Sequence, residues 1–304
     1  MGVQRINLLW QRKLRGLLPV SGYALADDGS LIAVRPDEIE PRTYQILRIE
    51  PTGEPREIAA VSVETVRRFA VTPNASLAIG MTEDDLYLFR QARKARLMAD
   101  RRVSYLDVAL APTGAFAFAF TDMMAAAHTL AYADASGRLV WTRDLDAPIL
   151  RVAIGRDGER IACGTEHGTA RLLTRSRTVV WEGDLAEPVT AIALAPGEGT
   201  AVVGTQEGTL FLIAPDGGQR WRSQVTLPVI DLAIDEAGET IAVVAGEASV
   251  GSVACFDGEG RLLWSYDLPA QPTGVALSPA GRHLAVSLAD GSAMLFAIEL
   301  RAVE

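Results

Sequence analysis

The stretch VIDLAIDEAGETIAV, residues 229–243, decides the fold, because related stretches recur along the chain. Each copy has two hydrophobic residues three positions apart, then alanine and an aliphatic residue, a short polar turn and a second apolar run. Seven copies are present, and their alanines are Ala24, Ala70, Ala109, Ala153, Ala193, Ala233 and Ala276. Successive alanines are separated by 46, 39, 44, 40, 40 and 43 residues. A period near 40 residues indicates a repeat architecture.

Each repeat predicts four β-strands. The alanine-bearing segment alternates as a strand does, and the Asp, Pro and Gly residues after it suit a hairpin turn. A third apolar run follows, such as GTLFLIAP at 208–215, and a fourth carries Trp141, Trp181, Trp221 or Trp264. No repeat has a helical apolar period of useful length, which excludes an α-solenoid. The sequence therefore predicts an all-β, seven-bladed β-propeller of four-stranded antiparallel blades.

The two ends of the chain predict how the ring closes. A glycine precedes the tryptophan by thirteen residues in three repeats, at Gly168 and Trp181, Gly208 and Trp221, and Gly251 and Trp264. The same spacing from Gly291 reaches Glu304, the last residue of the sequence. The stretch NLLWQRKL at 7–14 resembles RLLWSYDL at 261–268. We therefore predict one propeller domain over 1–304, in which residues 6–14 supply the outer strand of the last blade, 272–300 supply its other three, and Trp10 corresponds to Trp264.

These motifs resemble two propeller families. The alanine-bearing pattern, followed by Asp-Gly or Glu-Gly, resembles WD-repeat propellers. The stretches FDGEGRLLWSYDL at 256–268 and ADASGRLVWTRDL at 133–145, with glycine four residues before tryptophan, are similar to the tryptophan-docking repeats of quinoprotein-like (PQQ-like) propellers. Packing between neighbouring blades would bury a large aromatic area, so we expect a structural role for the tryptophans Trp10, Trp141, Trp181, Trp221 and Trp264. The Trp-Asp and Gly-His pairs of strict WD repeats are absent, so the hydrogen-bonded tetrad of that family is not expected.

The composition restricts the partners. A net charge of −9 and a pI near 5.0 argue against nucleic acid, which needs a basic surface. No apolar run reaches the roughly 20 residues of a membrane-spanning helix, so we expect at most peripheral membrane association. Only Lys13 and Lys94 among the 29 basic residues are lysine, which suggests a GC-rich bacterial gene. The stretch RKLRGLLPVSGYALA at 12–26 is like a signal peptide, but the repeat pattern includes its residues, so we expect a cytoplasmic protein.

Two charged surfaces are candidates for binding another protein. Every loop between the second and third strands of a blade carries at least one acid, and these loops share one face of a propeller. The acidic candidates are Asp37, Glu38, Glu83, Asp84, Asp85, Glu166, Glu207, Glu247 and Asp290. The stretch RQARKARLMADRR at 90–102 is basic, and its candidates are Arg93, Lys94 and Arg96. The alternative is that these residues are solvated turns and an outer strand protected by charge against edge pairing.

The sequence offers little evidence of reaction chemistry. It contains no nucleophile elbow, phosphate loop or dinucleotide motif. His128 and His167, beside Asp122 and Glu166, are weak metal-ligand candidates, since their spacing matches no compact ligand motif. Quinoprotein enzymes bind their cofactor under paired cysteines, whereas Cys163 and Cys255 lie far apart in apolar runs and read as buried, unpaired residues. We therefore expect no cofactor and no catalytic residue.

Three functions stay open from the sequence. The first is a non-catalytic scaffold or adaptor that binds one or more proteins through its charged loop face and rim. The second, of another class, is a small-molecule- or metal-dependent enzyme or sensor with a site at the mouth of the central channel. The third is an exported assembly factor like some quinoprotein-like propellers. Fold alone does not choose among them.

Overall fold

The computed structural model describes residues 3–14, 24–37, 39–40, 42–63, 65–90, 93–100, 102–195 and 199–300. These residues form seven four-stranded antiparallel sheets arranged as a ring, which confirms the predicted seven-bladed β-propeller. Among them the structure has no helix with the length and apolar content that a bilayer crossing requires.

The blades follow the chain in order, and we number them from the first complete repeat. Blade 1 contains β2 (Ala24–Leu25), β3 (Leu31–Pro36), β4 (Thr43–Ile49) and β5 (Pro55–Ser62). Blade 2 contains β6 (Arg68–Val71), β7 (Leu77–Met81), β8 (Asp85–Arg90) and β9 (Arg93–Ala99). Blade 3 contains β10 (Val103–Leu110), β11 (Phe116–Asp122), β12 (Ala127–Ala133) and β13 (Leu139–Leu145).

The remaining blades repeat this order. Blade 4 contains β14 (Ile149–Ile154), β15 (Arg160–Thr165), β16 (Thr169–Thr174) and β17 (Val179–Asp184). Blade 5 contains β18 (Val189–Leu194), β19 (Ala201–Thr205), β20 (Thr209–Ile213) and β21 (Gln219–Gln224). Blade 6 contains β22 (Val229–Ile234), β23 (Thr240–Glu247), β24 (Val250–Asp257) and β25 (Leu262–Leu268). Blade 7 contains β26 (Pro272–Leu277), β27 (His283–Leu288), β28 (Ser292–Leu300) and β1 (Val3–Lys13).

The ring closes between the two ends of the chain. Strand β1 pairs antiparallel with β28 and forms the outer strand of blade 7, with Trp10 opposite Leu295. Closure of this kind removes a pair of sheet edges that would otherwise invite association. The predicted exchange of the N-terminal strand into the last blade is confirmed.

The hydrophobic core is divided among the junctions between blades. Each of seven buried clusters joins two neighbouring blades, and the closing cluster joins Trp10 and Leu295 of blade 7 to Leu31 and Leu47 of blade 1. The strands alternate so that apolar residues of both sheet faces are buried between blades. Stability therefore depends on every neighbouring pair of blades and on the closure.

The tryptophans connect the outer strands to the next blade. A one-residue bulge precedes each of them, for example at Leu9 before Trp10 and at Arg220 before Trp221. Trp221 lies over the hairpin turn of blade 6, where a methyl group at Gly260 would come within 2.7 Å of Trp221 Cδ2. Its indole Nε1 donates a hydrogen bond to the Gly258 carbonyl oxygen at 3.0 Å.

The same contact occurs at other junctions. Trp181 packs on the turn at Gly217, and Trp10 packs on the turn at Gly53. Trp264 instead contacts Phe296 edge-on at 5.4 Å, because β28 and β1 of blade 7 are not joined by a hairpin turn. A β-bulge changes the direction of a side chain relative to the regular alternation along the strand. Here the bulge turns the indole ring towards the next blade.

Aspartates shape turns within and between the blades, and this predicts how the free energy of unfolding depends on pH. The Arg102 side chain holds the pKa of Asp100 down at about 2, and the Ser136 hydroxyl holds that of Asp134 at about 2. Both folded-state values lie below the ordinary value of 3.8, so the unfolded chain takes up the protons first. Their stabilisation is complete above about pH 4 and is lost as the pH falls towards about 2.

We therefore expect the free energy of unfolding to decrease between about pH 4 and pH 2. Burial raises the pKa values of Asp231 and Asp235, and these two groups act in the opposite sense. Urea unfolding at several pH values measures the slope. In the double variant D100N/D134N, the free energy of unfolding should depend less steeply on pH than in the wild type. An equal dependence would show that Asp100 and Asp134 are not the groups responsible.

Candidate interaction face and central channel

One face of the ring carries all the loops between second and third strands, and we call it the loop face. It comprises residues 37–42, 82–84, 123–126, 166–168, 206–208, 248–249 and 289–291 within the described part of the chain. Backbone hydrogen bonds tie these loops to the segments that lead into the inner strands, as from Glu166 N to Pro148 O and from Gln206 N to Pro188 O. The loop face therefore also contains the starting ends of the inner strands.

The acidic candidates are not equivalent. Glu166, Glu207 and Asp290 are exposed in their loops, and Glu247 is exposed at the end of β23. Glu83 is exposed and pairs with Arg67 at 2.9 Å, and Asp84 beside it is half-buried. These six side chains form the accessible acidic part of the face. Glu38 lies outside the described residues.

Asp85 and Asp37 correct the sequence-based expectation of free loop carboxylates. Asp85 is the first residue of β8 and only 7% exposed, so it is not a loop residue. Its carboxylate accepts hydrogen bonds from Arg96 and from the Tyr87 hydroxyl. Asp37 Oδ1 accepts the backbone N–H groups of Ile39 and Glu40, which lowers the pKa of Asp37. Both aspartates serve local structure.

Two of the three basic candidates also make contacts within the protein. Lys94 Nζ donates to the Ser62 carbonyl oxygen of blade 1 at 3.0 Å and lies 4.3 Å from the centre of the Tyr87 ring. Arg96 pairs with Asp85. Arg93 is exposed on the outer strand β9. The predicted basic surface is therefore smaller than the sequence suggests.

The structure does not assemble the suggested metal ligands. His128 lies within β12, not in a loop, and its Nδ1 hydrogen-bonds with the Thr121 hydroxyl at 2.9 Å. Asp122 Oδ1 accepts the N–H groups of Met124 and Ala125. His167 and Glu166 are exposed in the loop of blade 4. Within the described ranges, no group of three or more His, Cys, Asp or Glu side chains is placed to hold a metal ion.

Exposed apolar side chains on the loop face were not anticipated from the sequence. Ile39 is 88% exposed and Met124 is 81% exposed, with Met123 and Val250 also exposed. Asp37 and Asp122 accept the N–H groups of Ile39 and Met124, so a carboxylate two residues earlier holds each apolar tip in place. In the sequence, Ile39 and Met124 are each visible as an apolar residue two positions after the aspartate of a loop, and this pattern could have predicted them.

A central channel runs between the inner strands. It encloses about 330 Å³ and is lined mainly by small and aliphatic residues. Four charged residues lie at its loop-face end, and we call them the channel ring: Arg68, Asp107, Arg151 and Asp231. Each stands two residues before the alanine of its repeat, a regularity that the sequence contained but that hydrophobic patterning did not reveal.

The aspartates of the channel ring join neighbouring blades. Asp107 Oδ2 accepts the Val152 N–H at 2.8 Å, and Asp231 Oδ2 accepts the Val275 N–H at 3.0 Å. Asp107 Oδ1 lies 3.8 Å from Arg68 Nε. At the other end of the channel, Arg156 pairs with Glu236 between blades 4 and 6. The cysteines Cys163 and Cys255 are buried and unpaired, and burial raises both thiol pKa values to about 12, so neither is a ready nucleophile.

Comparison with known proteins agrees with this architecture. A family model described as "Outer membrane protein assembly factor BamB" matches residues 166–302, a little under half of the chain. A chain in a structure titled "Crystal Structure of Mitotic Checkpoint Complex" superposes with a TM-score of 0.74 at 14% identity, covering 98% of this chain and 92% of that one. In all, 1305 chains of solved structures match. No curated protein matches the chain.

These findings define the class of protein. At 14% identity, the likeness to the solved structure shows the fold alone. Together with the matched PQQ-type repeats, it supports the resemblance to WD-repeat and PQQ-like propellers that the sequence indicates. The chain is a seven-bladed β-propeller.

Proposed function

We propose that this protein is a non-catalytic scaffold that binds another protein through its loop face. The observation that supports this proposal most strongly is the exposure of four apolar side chains among exposed carboxylates on this face. They are Ile39, Met123, Met124 and Val250. Apolar side chains rimmed by charge are typical of protein-binding surfaces, and methionine adapts to irregular partners. The partner that fits is a protein segment with apolar side chains flanked by basic ones.

Charge supports the same proposal. Blades 4 to 7 each carry an exposed acid on the loop face, and the whole chain is acidic. A field of one sign accelerates the approach of an oppositely charged partner, and salt weakens it over a distance of about 8 Å at physiological ionic strength. Binding should therefore weaken as salt increases. The predicted basic surface, reduced to exposed Arg93 and its neighbours, is a secondary candidate.

The test is capture of partners from the native lysate by the tagged protein, compared with the double variant M123S/M124S. We expect a stoichiometric protein that the wild type retains at low salt, loses at higher salt, and fails to retain in the double variant. The variant L139S is the matched control, because Leu139 is an exposed apolar residue on the outer strand of blade 3, away from the loop face.

Equal melting temperatures would show that the variants fold. Equal retention by wild type and M123S/M124S would contradict the proposed surface. A wild-type protein that captures nothing in stoichiometric amount would contradict the scaffold function itself.

The cellular location is part of the proposal. We favour the cytoplasm from the sequence, whereas the BamB-like match of residues 166–302 favours an exported assembly factor. Cell fractionation with intact-mass measurement separates the two. A periplasmic protein that has lost its first residues would favour export, and a cytoplasmic protein that retains them would favour the adaptor.

A further inference from the structure

The loop of blade 3 presents two methionines to solvent at its tip. Met123 and Met124 directly follow β11, and they are 58% and 81% exposed. A single exposed apolar residue is ordinary, but two adjacent methionines place two thioether sulfurs side by side on the loop face. The loop therefore exposes chemical groups whose polarity changes on oxidation.

The backbone of this loop is held independently of the two side chains. The Met123 N–H donates to the Arg102 carbonyl oxygen at 2.8 Å. Asp122 Oδ1 accepts the N–H groups of Met124 at 2.8 Å and of Ala125 at 3.0 Å. Because these backbone hydrogen bonds fix the turn, a chemical change at the thioether groups should leave the fold in place.

The other methionines in the described part of the chain are shielded from solvent. Met81 and Met294 are 0% exposed and belong to the hydrophobic clusters between blades. Met98 is partly buried against the cluster between blades 2 and 3. Since oxidation of methionine depends on access of the oxidant to the sulfur, Met123 and Met124 are the described methionines that an oxidant reaches first.

The cysteines do not compete for a peroxide. Cys163 and Cys255 are buried, and burial raises both thiol pKa values to about 12. The thiolate is the form that a peroxide oxidises, so both cysteines are protected by protonation as well as by burial. Hydrogen peroxide is uncharged, and the acidic residues of the loop face therefore do not repel it.

We propose that Met123 and Met124 are a site of reversible sulfoxidation that regulates binding at the loop face. A thioether sulfur attacks one oxygen of hydrogen peroxide, the O–O bond breaks, and the other oxygen leaves as water after a proton transfer. The sulfur is oxidised by two electrons to a sulfoxide, and the peroxide is reduced. Methionine sulfoxide reductases reverse the step with two thiols, which gives the thioether, a disulfide and water.

The regulatory effect rests on the proposed scaffold function. A sulfoxide is polar, so its burial against an apolar partner surface costs free energy that burial of a thioether does not. We expect oxidation of both methionines to weaken partner binding by about tenfold or more. By linkage, a bound partner should also slow the oxidation of both methionines.

Peptide-mapping mass spectrometry of the full chain treated with hydrogen peroxide tests the site itself. In the folded protein, Met123 and Met124 should each gain one oxygen atom at least about tenfold faster than Met81 and Met294. Prior unfolding in urea should bring the four rates together. Oxidation of the pair should shift the melting temperature by less than about 2 °C. Methionine sulfoxide reductases with a thiol reductant should restore the original mass.

Partner retention tests the regulation. After removal of the peroxide, the tagged protein should fail to retain the stoichiometric partner from the lysate, and it should regain the partner after reductase treatment. In M123L/M124L, which lacks both sulfurs, retention should be the same before and after peroxide treatment. M98L removes a sulfur from β9 instead and is the control, so its retention should fall on oxidation as in the wild type.

Each failure has a distinct meaning. Equal oxidation rates for exposed and buried methionines in the folded protein would overturn the modification site. Undiminished retention by protein oxidised at both positions would overturn the regulation and leave the scaffold function intact. Capture of nothing by the untreated protein would contradict the scaffold function and the regulation together, and the oxidation rates would still decide the site.

Discussion

Replacing Trp10 with alanine should destabilise the protein by about 3–5 kcal/mol, the range for removing a large buried aromatic side chain. Trp10 is 9% exposed and belongs to the cluster that joins blade 7 to blade 1. It also packs on the turn at Gly53. The substitution thus opens a cavity at the junction where the two ends of the chain close the ring.

Chemical denaturation measures this effect, and L8A is the matched control. Leu8 lies on the same strand but is 43% exposed, so L8A should cost less than about 1 kcal/mol of unfolding free energy.

A variant with a rearranged chain tests the closure of the ring directly. Moving residues 3–14 from the front of the chain to a position after residue 300, with a short linker, should preserve the fold, because β1 would then follow β28 as the fourth strand follows the third in other blades. A W10A protein as stable as L8A would contradict the role of this junction.

Replacing Asp85 with alanine should cost about 3 kcal/mol, because the carboxylate is buried and accepts hydrogen bonds from two side chains. Its removal takes away the acceptor that Asp85 offers to the buried Tyr87 hydroxyl and breaks the ion pair with Arg96. The Asp85 backbone N–H also donates to the Thr82 hydroxyl at 3.0 Å, which fixes the start of β8. Blade 2 should therefore lose stability as a unit.

E83A is the natural comparison for D85A. Glu83 is two residues away and also pairs with an arginine, but both partners are largely exposed. Exposed ion pairs contribute less than about 1 kcal/mol. Thermal and urea unfolding of the two variants should therefore differ clearly. If D85A unfolds at the same denaturant concentration as E83A, Asp85 is not the structural residue that its contacts indicate.

The comparison of Glu83 with Asp85 also shows the limit of reading charge from sequence. Both residues stand in the acidic run Glu83–Asp85 and were expected to share one exposed loop. The strand begins at Asp85, and the side chain turns inward towards Tyr87. Burial of a charged residue depends on partners brought by other strands, here Arg96 of β9, and local composition does not encode that pairing.

The sequence by itself determined the architecture. Seven alanine-centred repeats, the strand alternation and the recurrent tryptophan predicted seven blades and the exchange of the N-terminal strand, because these patterns repeat locally and each repeat must bury its apolar faces against the next. Tertiary structure alone decided which charged residues are buried and which of them meet. The channel ring gathers Arg68, Asp107, Arg151 and Asp231 from four blades, spread over more than 160 residues of chain, into one channel. The sequence shows that the four residues share a position two residues before an alanine, but only ring closure brings their side chains together.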